Sequence, residues 1–500
     1  MIGRRGFLKG IAALGASAAL PVFGEASYPF GLGVASGYPT PSGVTLWTRL
    51  MGFAMPVTVR WEVAADDSMR NVVRSGEALA HPDWAHSVHV DVEGLEPERW
   101  YWYRFSAGDA QSRIGRTRTA PGARAQPAQL RFAFASCQQY EQGYYGAYRH
   151  IVADAPDFIA FLGDYIYESS WGRDHVRSHA STEPYALDDY RARYALYRSD
   201  PDLQEAHAAC PWICIWDDHE VDNDYADDRP EDGMDRESFL VRRAAAYRAY
   251  WEHMPLPARM LPQGPRMRIY TQLAWGELAR FYLLDMRQYK SWQACPRKGR
   301  RGGANTVDVT ECPRLASPGR TMLGRAQERW LDDALGASRE RWNVITQTTA
   351  MAQFDQKPGP GRRAWTDGWD GYPAARQRLL SNLKNKTNPV VIGGDIHTFN
   401  VAQLKEDFDD PDSPVIAAEF VGTSISSQAW PQERLARYLP DNPHILLADS
   451  RYRGYVRVEL TRSRWRADLR AMETVQRADA PCSTLASFVV EDGTPGPLRV

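Results

Sequence analysis

Five apolar runs in this chain end in side chains able to hold a cation or a phosphate. Leu130–Ala135 ends at Ser136-Cys137, and Phe158–Leu162 at Gly163-Asp164 with Tyr167 close behind. Trp212–Trp216 ends at Asp217-Asp218-His219-Glu220, with Asn223 following. Arg280–Leu284 ends at Asp285-Met286-Arg287, and Pro389–Ile392 at Gly393-Gly394-Asp395-Ile396-His397. Short apolar runs of this kind read as buried strands. In α/β proteins ligands gather at the carboxyl ends of strands, because adjacent ends bring distant loops together. A single Asp after a strand is more often a turn former or helix cap, but a set of five such ends is hard to explain as independent caps.

The residue types narrow the chemistry. Asp and Asn oxygens suit hard cations such as Ca²⁺. A Cys thiolate with a Tyr phenolate suits a strong Lewis acid such as Fe³⁺. A carboxylate such as Asp164 can bridge two ions, and paired ions stabilise both the attacking and the leaving oxygen of a phosphoryl displacement. Arg287 could clamp phosphate oxygens as a bidentate donor; its bland alternative is a salt bridge to Asp285 or a neighbour. Other motifs fail. The second His of a zincin helix would fall at Asn223, Asp228–Gly233 lacks calcium-loop ligands at Pro230 and Phe239, and Gly422–Ser426 lacks the second Gly of a nucleophile elbow.

These strand ends need an α/β frame to hold them. Beyond residue 128, β-rich runs alternate with helical segments at Gly143–Val152, Ser238–His253, Gly324–Leu335 and Tyr372–Asn385. Before it the pattern is all-β: Val57–Val63, Ser87–Val92 and Trp100–Phe105 alternate with period two, separated by Gly/Pro/Asp turns. The expected organisation is a small immunoglobulin- or fibronectin-like β-sandwich over residues 27–120, a linker at 121–128 and an α/β catalytic domain over 129–500.

Residues 1–26 read as a twin-arginine export signal: Arg4-Arg5-Gly6-Phe7-Leu8-Lys9, an apolar run from Ile11 to Phe23, then small residues near Gly24 and Ala26. This predicts a periplasmic or secreted protein that meets the twin-arginine export machinery, with no membrane span in the mature chain. In that oxidising compartment Cys295 and Cys312, flanking a Gly/Arg-rich excursion, are a candidate disulfide. Cys210 and Cys214 read as buried core thiols, and Cys482 has no assignment. A net charge of −2 gives no electrostatic reason to expect nucleic acid as a partner.

With those residues in place, the sequence resembles the PhoD-like alkaline phosphatase and phosphodiesterase family of the metallophosphoesterase superfamily. The matching motifs are Phe134-Ala-Ser-Cys137, Gly163-Asp-Tyr-Ile-Tyr167, Asp217-Asp-His-Glu-Val-Asp-Asn223, Leu284-Asp-Met-Arg287, Trp369-Asp-Gly-Tyr372 and Gly393-Gly-Asp-Ile-His397. The resemblance implies a two-sheet α/β metallophosphoesterase sandwich with an iron–calcium centre, one Fe³⁺ with one or two Ca²⁺. It places Cys137, Asp164, Tyr167 and Asp395 on the iron side. Asn223, Asp370, His397 and the shared Asp164 fall on the calcium side, and the allocation of Asp370, Asp395 and His397 stays open. It implies hydrolysis of a small-molecule phosphoester or phospholipid by a metal-activated oxygen, with Arg287 on the phosphate. His397 or His219 is the candidate acid for the leaving alkoxide; His219 could instead orient a ligand.

Two other readings compete. A phosphodiesterase or phospholipase D-like activity uses the same metal centre, and the loops Ser169–Pro184, Cys295–Cys312 and Lys357–Trp369 would decide between them by setting the depth of the pocket. A surface binding module, argued from the N-terminal sandwich, predicts no hydrolysis and no dependence on Cys137 or Asp164.

Overall fold

The computed structural model describes Tyr28–Val500, so the paired arginines and apolar run lie outside the described residues. Two mixed sheets face one another. The first has ten strands, in spatial order Leu498–Arg499, Cys482–Glu491, Arg464–Met472, Arg453–Thr461, Gln129–Ala135, Phe158–Leu162, Trp212–Ile215, Val34–Thr40, Gly43–Arg49 and Ser87–Val92. The second has seven: Thr271–Trp275, Ala279–Leu283, Trp342–Thr346, Pro389–Gly393, Val415–Val421, Phe399–Lys405 and Ile445–Asp449.

The strands read from the sequence as apolar runs are the central ones. Phe158–Leu162 and Trp212–Ile215 are buried at every position, as parallel strands covered on both faces must be. Gln129–Ala135, Phe158–Leu162 and Trp212–Ile215 pair in parallel, as do Ala279–Leu283, Trp342–Thr346, Pro389–Gly393 and Val415–Val421. A single core welds the sheets: Phe132 and Phe158 of the first meet Phe281 of the second edge-on, each at 5.3 Å between ring centroids. The outer face of the second sheet is covered by the helices Gly324–Gly336 and Pro373–Leu383, through Leu331, Leu335, Leu379 and Leu383. All the carboxyl ends of the parallel strands therefore open on one rim of the sandwich.

The N-terminal region is built of strands but shares its sheet with the catalytic half. Val57–Ala64, Val72–Ala80, Trp100–Ala107 and Ala110–Gln111 form a separate small sheet, with Gly115–Arg118 paired to Trp100–Ala107. Its partner layer, Val34–Thr40, Gly43–Arg49 and Ser87–Val92, is the edge of the large sheet, joined by a parallel contact of Gly37 with Trp212. Gly37 permits that approach, since a Cβ there would collide with the Pro255 carbonyl and lie 2.8 Å from that of Trp212. The hydrogen-bonded sheet thus runs across the expected boundary near residue 120.

Helices stand at all four places that the sequence indicates, at Ala147–Ala153, Arg236–His253, Gly324–Gly336 and Pro373–Leu383. Three more, Leu187–Arg198, Pro201–Ala209 and the short Gln432–Ala436, add to the expected set. Pro201–Ala209 has a readable start: Asp200 accepts the backbone N–H of Asp202 and Leu203, with Pro201 at the first turn. Among the described residues no helix is long and apolar enough to cross a membrane.

Candidate metal centre

The rim is built by chain reversals directly after the strands. Cys137, Asp164, Asp224, Asp395 and His397 all have positive φ, between 51° and 65°. Residues with a Cβ seldom adopt that conformation, and it persists where surrounding structure enforces it, commonly at functional sites. Gly163, which precedes Asp164, has φ 89°, and a Cβ on it would lie 2.6 Å from that of Asp217. Glycine there lets two acidic strand ends sit side by side.

Three groups of side chains converge, each with ligand atoms within 4.8 Å of one another: Cys137, Asp164 and His397; Asp164, Asp218 and His219; and Asp218, Asp224 and Asp367. Asp164 links the first two and Asp218 the last two. Tyr167 Oη donates to Asp164 Oδ2 at 3.0 Å and lies 3.0 Å from His397 Nε2. His397 Nδ1 donates to the Gln428 carbonyl at 2.6 Å, which leaves Nε2 facing the site. His219 Nδ1 lies 2.7 Å from Glu168 Oε2, and its ring stands over that of Tyr167. Ser427 Oγ bridges the Cys137 carbonyl (2.8 Å) and Tyr167 Oη (2.9 Å). Arg287 enters from the second sheet. Its guanidinium bonds Asp217, bonds Asp367 at 2.7 Å and lies 3.4 Å from Asp218. Lys290, fully buried, holds the other oxygen of Asp367 at 2.6 Å.

The electrostatics call for added positive charge. Burial pushes Asp164 far above the carboxylate range, with the Asp218 and Asp217 charges adding to it against His219. Burial and the same two aspartates lift Asp395 to about 7. Burial with Asp367 and Asp218 raises Asp224. The Cys137 thiol is raised by burial and by Asp164, and burial lowers His397 to about 3, leaving its imidazole neutral. Asp164 Oδ1 and Asp217 Oδ2 are buried without a hydrogen-bond partner. Buried polar atoms are normally satisfied, and Arg287, Lys290 and His219 do not balance so many carboxylates. Orphaned acid oxygens beside a thiol, a phenol and a neutral imidazole are a donor set that fits metal ions.

Comparison with known proteins agrees. The model of the PhoD-like phosphatase family matches residues 132–469, and that of the N-terminal domain of PhoD-like phosphatases matches residues 16–121. The chain belongs to the PhoD-like phosphatase family. Alkaline phosphatase D of Bacillus subtilis strain 168 is 45% identical over 494 residues, covering 95% of this chain and 83% of that protein. A solved structure of PhoD superposes with a TM-score of 0.89 at 44% identity, covering 95% of this chain and 92% of that one. A purple acid phosphatase from yellow lupin seeds superposes at 0.58 with 12% identity, over 93% of this chain and 74% of that one, and shows the fold alone. This PhoD-like chain is therefore a phosphoric ester hydrolase on a metallophosphoesterase-type α/β frame.

Of the expected site residues, the structure brings Cys137, Asp164, Tyr167, His219, Arg287, Asp395 and His397 to one rim. Asp395 is held by Thr349 Oγ1 at 2.7 Å. Asn223 stands at the edge, its amide donating to Glu231 at 2.8 Å. Asp370 is not brought in. It accepts the Phe354 N–H at 2.9 Å and Arg376 at 2.6 Å, so the carboxylate facing the site from that loop is Asp367, three residues earlier. Arg287 is not a free fork either; its backbone N–H reaches Asp285, while its guanidinium serves Asp217, Asp218 and Asp367. Asp218 stands inside the motif at the Trp212–Trp216 strand end without an expected role, and Glu168, Asp224, Lys290 and Asp367 join the rim beyond the expected site residues. Glu168 and Asp224 adjoin the motif residues Tyr167 and Asn223 and were legible in that sense. Lys290 and Asp367 had no local signal.

All three loops flagged from the sequence border this rim. Trp171 stacks on His397 at 9° and 5.8 Å. Ala304, inside the Cys295–Cys312 disulfide loop, donates its N–H to Asp224 at 3.1 Å. The Lys357–Trp369 loop supplies Asp367. Cys210 and Cys214 are buried free thiols.

Proposed function

We propose that this chain is an exported hydrolase of phosphate esters whose rim holds one Fe³⁺ and one or two Ca²⁺. Cys137, Asp164, Tyr167, Asp395 and His397 would hold the iron; Asn223, the shared Asp164, Asp218, Asp224 and Asp367 would hold the calcium side. The observation that carries the reading is the buried acid cluster with orphaned oxygens on Asp164 and Asp217, closed by Cys137 and Tyr167. Bound there, the metals would supply Lewis acidity to the phosphate and its attacking water. The protein's own groups do the rest. Arg287 and Lys290 bring the fixed positive charge that the developing negative charge on phosphate needs. Against its burial, Glu168 is held down at about 2 by His219 and Arg242, and it fixes His219 through Nδ1. The neighbouring acids raise His219 well above the ordinary imidazole range in spite of burial, so its second ring nitrogen, Nε2, carries the proton that makes His219 the candidate donor to a leaving alkoxide. Trp171 shields His397 from bulk water. The paired arginines at Arg4 and Arg5 support export by the twin-arginine machinery to the periplasm or beyond.

Elemental analysis of protein purified without chelators, with assays on p-nitrophenyl phosphate and its bis ester, tests the reading. Iron and calcium accompanied by hydrolysis, with iron and turnover both lost in Cys137→Ala, are expected. A folded protein with neither metal nor turnover would overturn it.

A further inference from the structure

Beside the acid rim lies a cleft of about 700 Å³ with the opposite charge, lined by Arg229, Arg300, Arg301, Arg314 and Arg320 and by Trp292. The chain as a whole carries a net charge of −2, so this concentration of guanidinium is local. Arg300 pairs with Glu231. The other four arginines make no ion pair among the described residues, and the acids nearest them are engaged elsewhere. Asp227 faces Arg243 at 3.6 Å, and Asp228 is bound by Arg236 and by Trp292 Nε1.

Two of the four are held in place by other means. The guanidinium carbon of Arg229 lies over the Trp292 ring, 3.8 Å from its centroid. Arg320 lies 4.6 Å from the Tyr372 ring centroid, and backbone carbonyls take all three of its side-chain nitrogens, Trp292 at 2.8 Å and Gly371 at 3.4 and 3.3 Å. Arg229 makes no side-chain hydrogen bond among the described residues, so stacking leaves its N–H edges free, which is the geometry that binds phosphate, while Arg320 adds fixed positive charge to the wall. Their mutual repulsion is felt as well: burial, then the charges of Arg314 and Arg301 against the pull of Asp228, bring Arg229 below the usual guanidinium range. Like charges gathered without partners cost stability unless an anion relieves them.

The cleft is tied directly to the catalytic rim. Lys290 and Gln293 line it, and both bond Asp367 Oδ1, at 2.6 and 2.7 Å, while Asp367 Oδ2 bonds Arg287. One carboxylate therefore separates the basic cleft from the cation of the acid rim.

We propose that this cleft is a subsite for a second phosphate group, so that the chain prefers phosphoesters carrying another phosphate a short distance from the scissile one. The subsite rests on the phosphoester hydrolysis proposed above, and its test reads binding as well as turnover. The probes are alkane bisphosphonates of graded spacer length and the matching alkyl monophosphonates, which are not hydrolysed, titrated calorimetrically into the metal-loaded enzyme. The variants are Arg301→Glu/Arg314→Glu, both residues exposed, and separately Arg229→Gln. Removing a charge-assisted hydrogen bond to phosphate at a half-exposed site weakens binding roughly tenfold. Bisphosphonate affinity should fall by about that factor in Arg229→Gln and by at least that factor in the double variant, with monophosphonate affinity and p-nitrophenyl phosphate turnover changed less than about twofold. Equal weakening of both probe classes, or of neither, would overturn the subsite. If the wild-type enzyme turned over no phosphoester, hydrolysis would fall as a reading, while the calorimetric contrast would still decide whether the cleft binds a second phosphate.

Discussion

Asp370 offers the sharpest test of how this rim is built, because the motif around it suggests a metal ligand and the structure gives it another task. Its carboxylate accepts the Phe354 N–H and the Arg376 guanidinium, at 2.9 and 2.6 Å. Arg376 is 5% exposed and also donates to the Met351 carbonyl at 3.2 Å. Next to them the buried Glu419 accepts the N–H groups of Met351 and Ala352, so the pair pins the segment between a strand end and the helix Pro373–Leu383. In Asp370→Asn the amide keeps the shape and one acceptor but loses the charge, leaving Arg376 buried without its counter-ion. A hydrogen bond to a charged group contributes about 1.5–3 kcal/mol, and stranding one partner of a buried pair costs more. Retention of one acceptor favours the lower end, about 2 kcal/mol. Unfolding entropy grows with length, to about 1 kcal/mol per degree for a chain of this size, so the melting temperature should fall by about 2 °C. Calorimetry on metal-loaded protein measures that shift, with iron and calcium stoichiometry and kcat/KM measured on the same sample. Metal content should be unchanged and kcat/KM should stay within about twofold. Loss of a stoichiometric metal with a hundredfold fall in turnover would refute the reasoning and return Asp370 to the ligand set.

Other expectations follow from the same geometry. Arg287→Lys cannot reach Asp217, Asp218 and Asp367 together, so turnover should fall by about two to three orders of magnitude with folding intact, as measured by steady-state kinetics and circular dichroism. Retained activity would show that the three-way contact is dispensable. His89, half-buried and stacked on Trp251 at 3.8 Å, has its pKa lowered from 6.5 to about 4 by desolvation. A neutral His in the fold and a protonated one in the unfolded chain mean that its contribution is complete above pH 6.5 and is lost as pH falls toward 4, by up to about 3 kcal/mol. Denaturant midpoints across that window should decline less in His89→Gln than in the parent, and parallel curves would dismiss the histidine as the cause. Replacing Cys295 and Cys312 together by Ser frees a loop with a sequence separation of 17. The chain-entropy cost of such a loop is about 3 kcal/mol, so melting should drop by a few degrees. Bisphosphonate binding should weaken too, since Arg300 and Arg301 sit on that loop; unchanged affinity would detach the loop from the cleft.

The sequence by itself determined the central strands, the chemical character of their ends and the family. Runs such as Phe158–Leu162 are apolar throughout because both faces are covered, and the change to Asp, Cys or His at the end marks where the chain leaves the core. Motifs such as Gly163-Asp164 and Gly393-Gly394-Asp395 were legible because the positive φ and tight approach they need restrict the residues allowed there. What the sequence could not supply was the pairing of distant segments. Asp370 and Asp367 lie in one acidic loop, and only the direction of that loop decides which faces Arg287 and which faces Arg376. Lys290 looks like any surface lysine until the second sheet buries it against Asp367. The N-terminal strands read as a module of their own because their alternation is local, whereas their hydrogen bonding across Gly37 to Trp212 joins positions far apart in the chain. The basic cleft has the same origin: Arg229, Arg301, Arg314 and Arg320 are unremarkable singly, and only the tertiary fold brings them together beside an acidic rim.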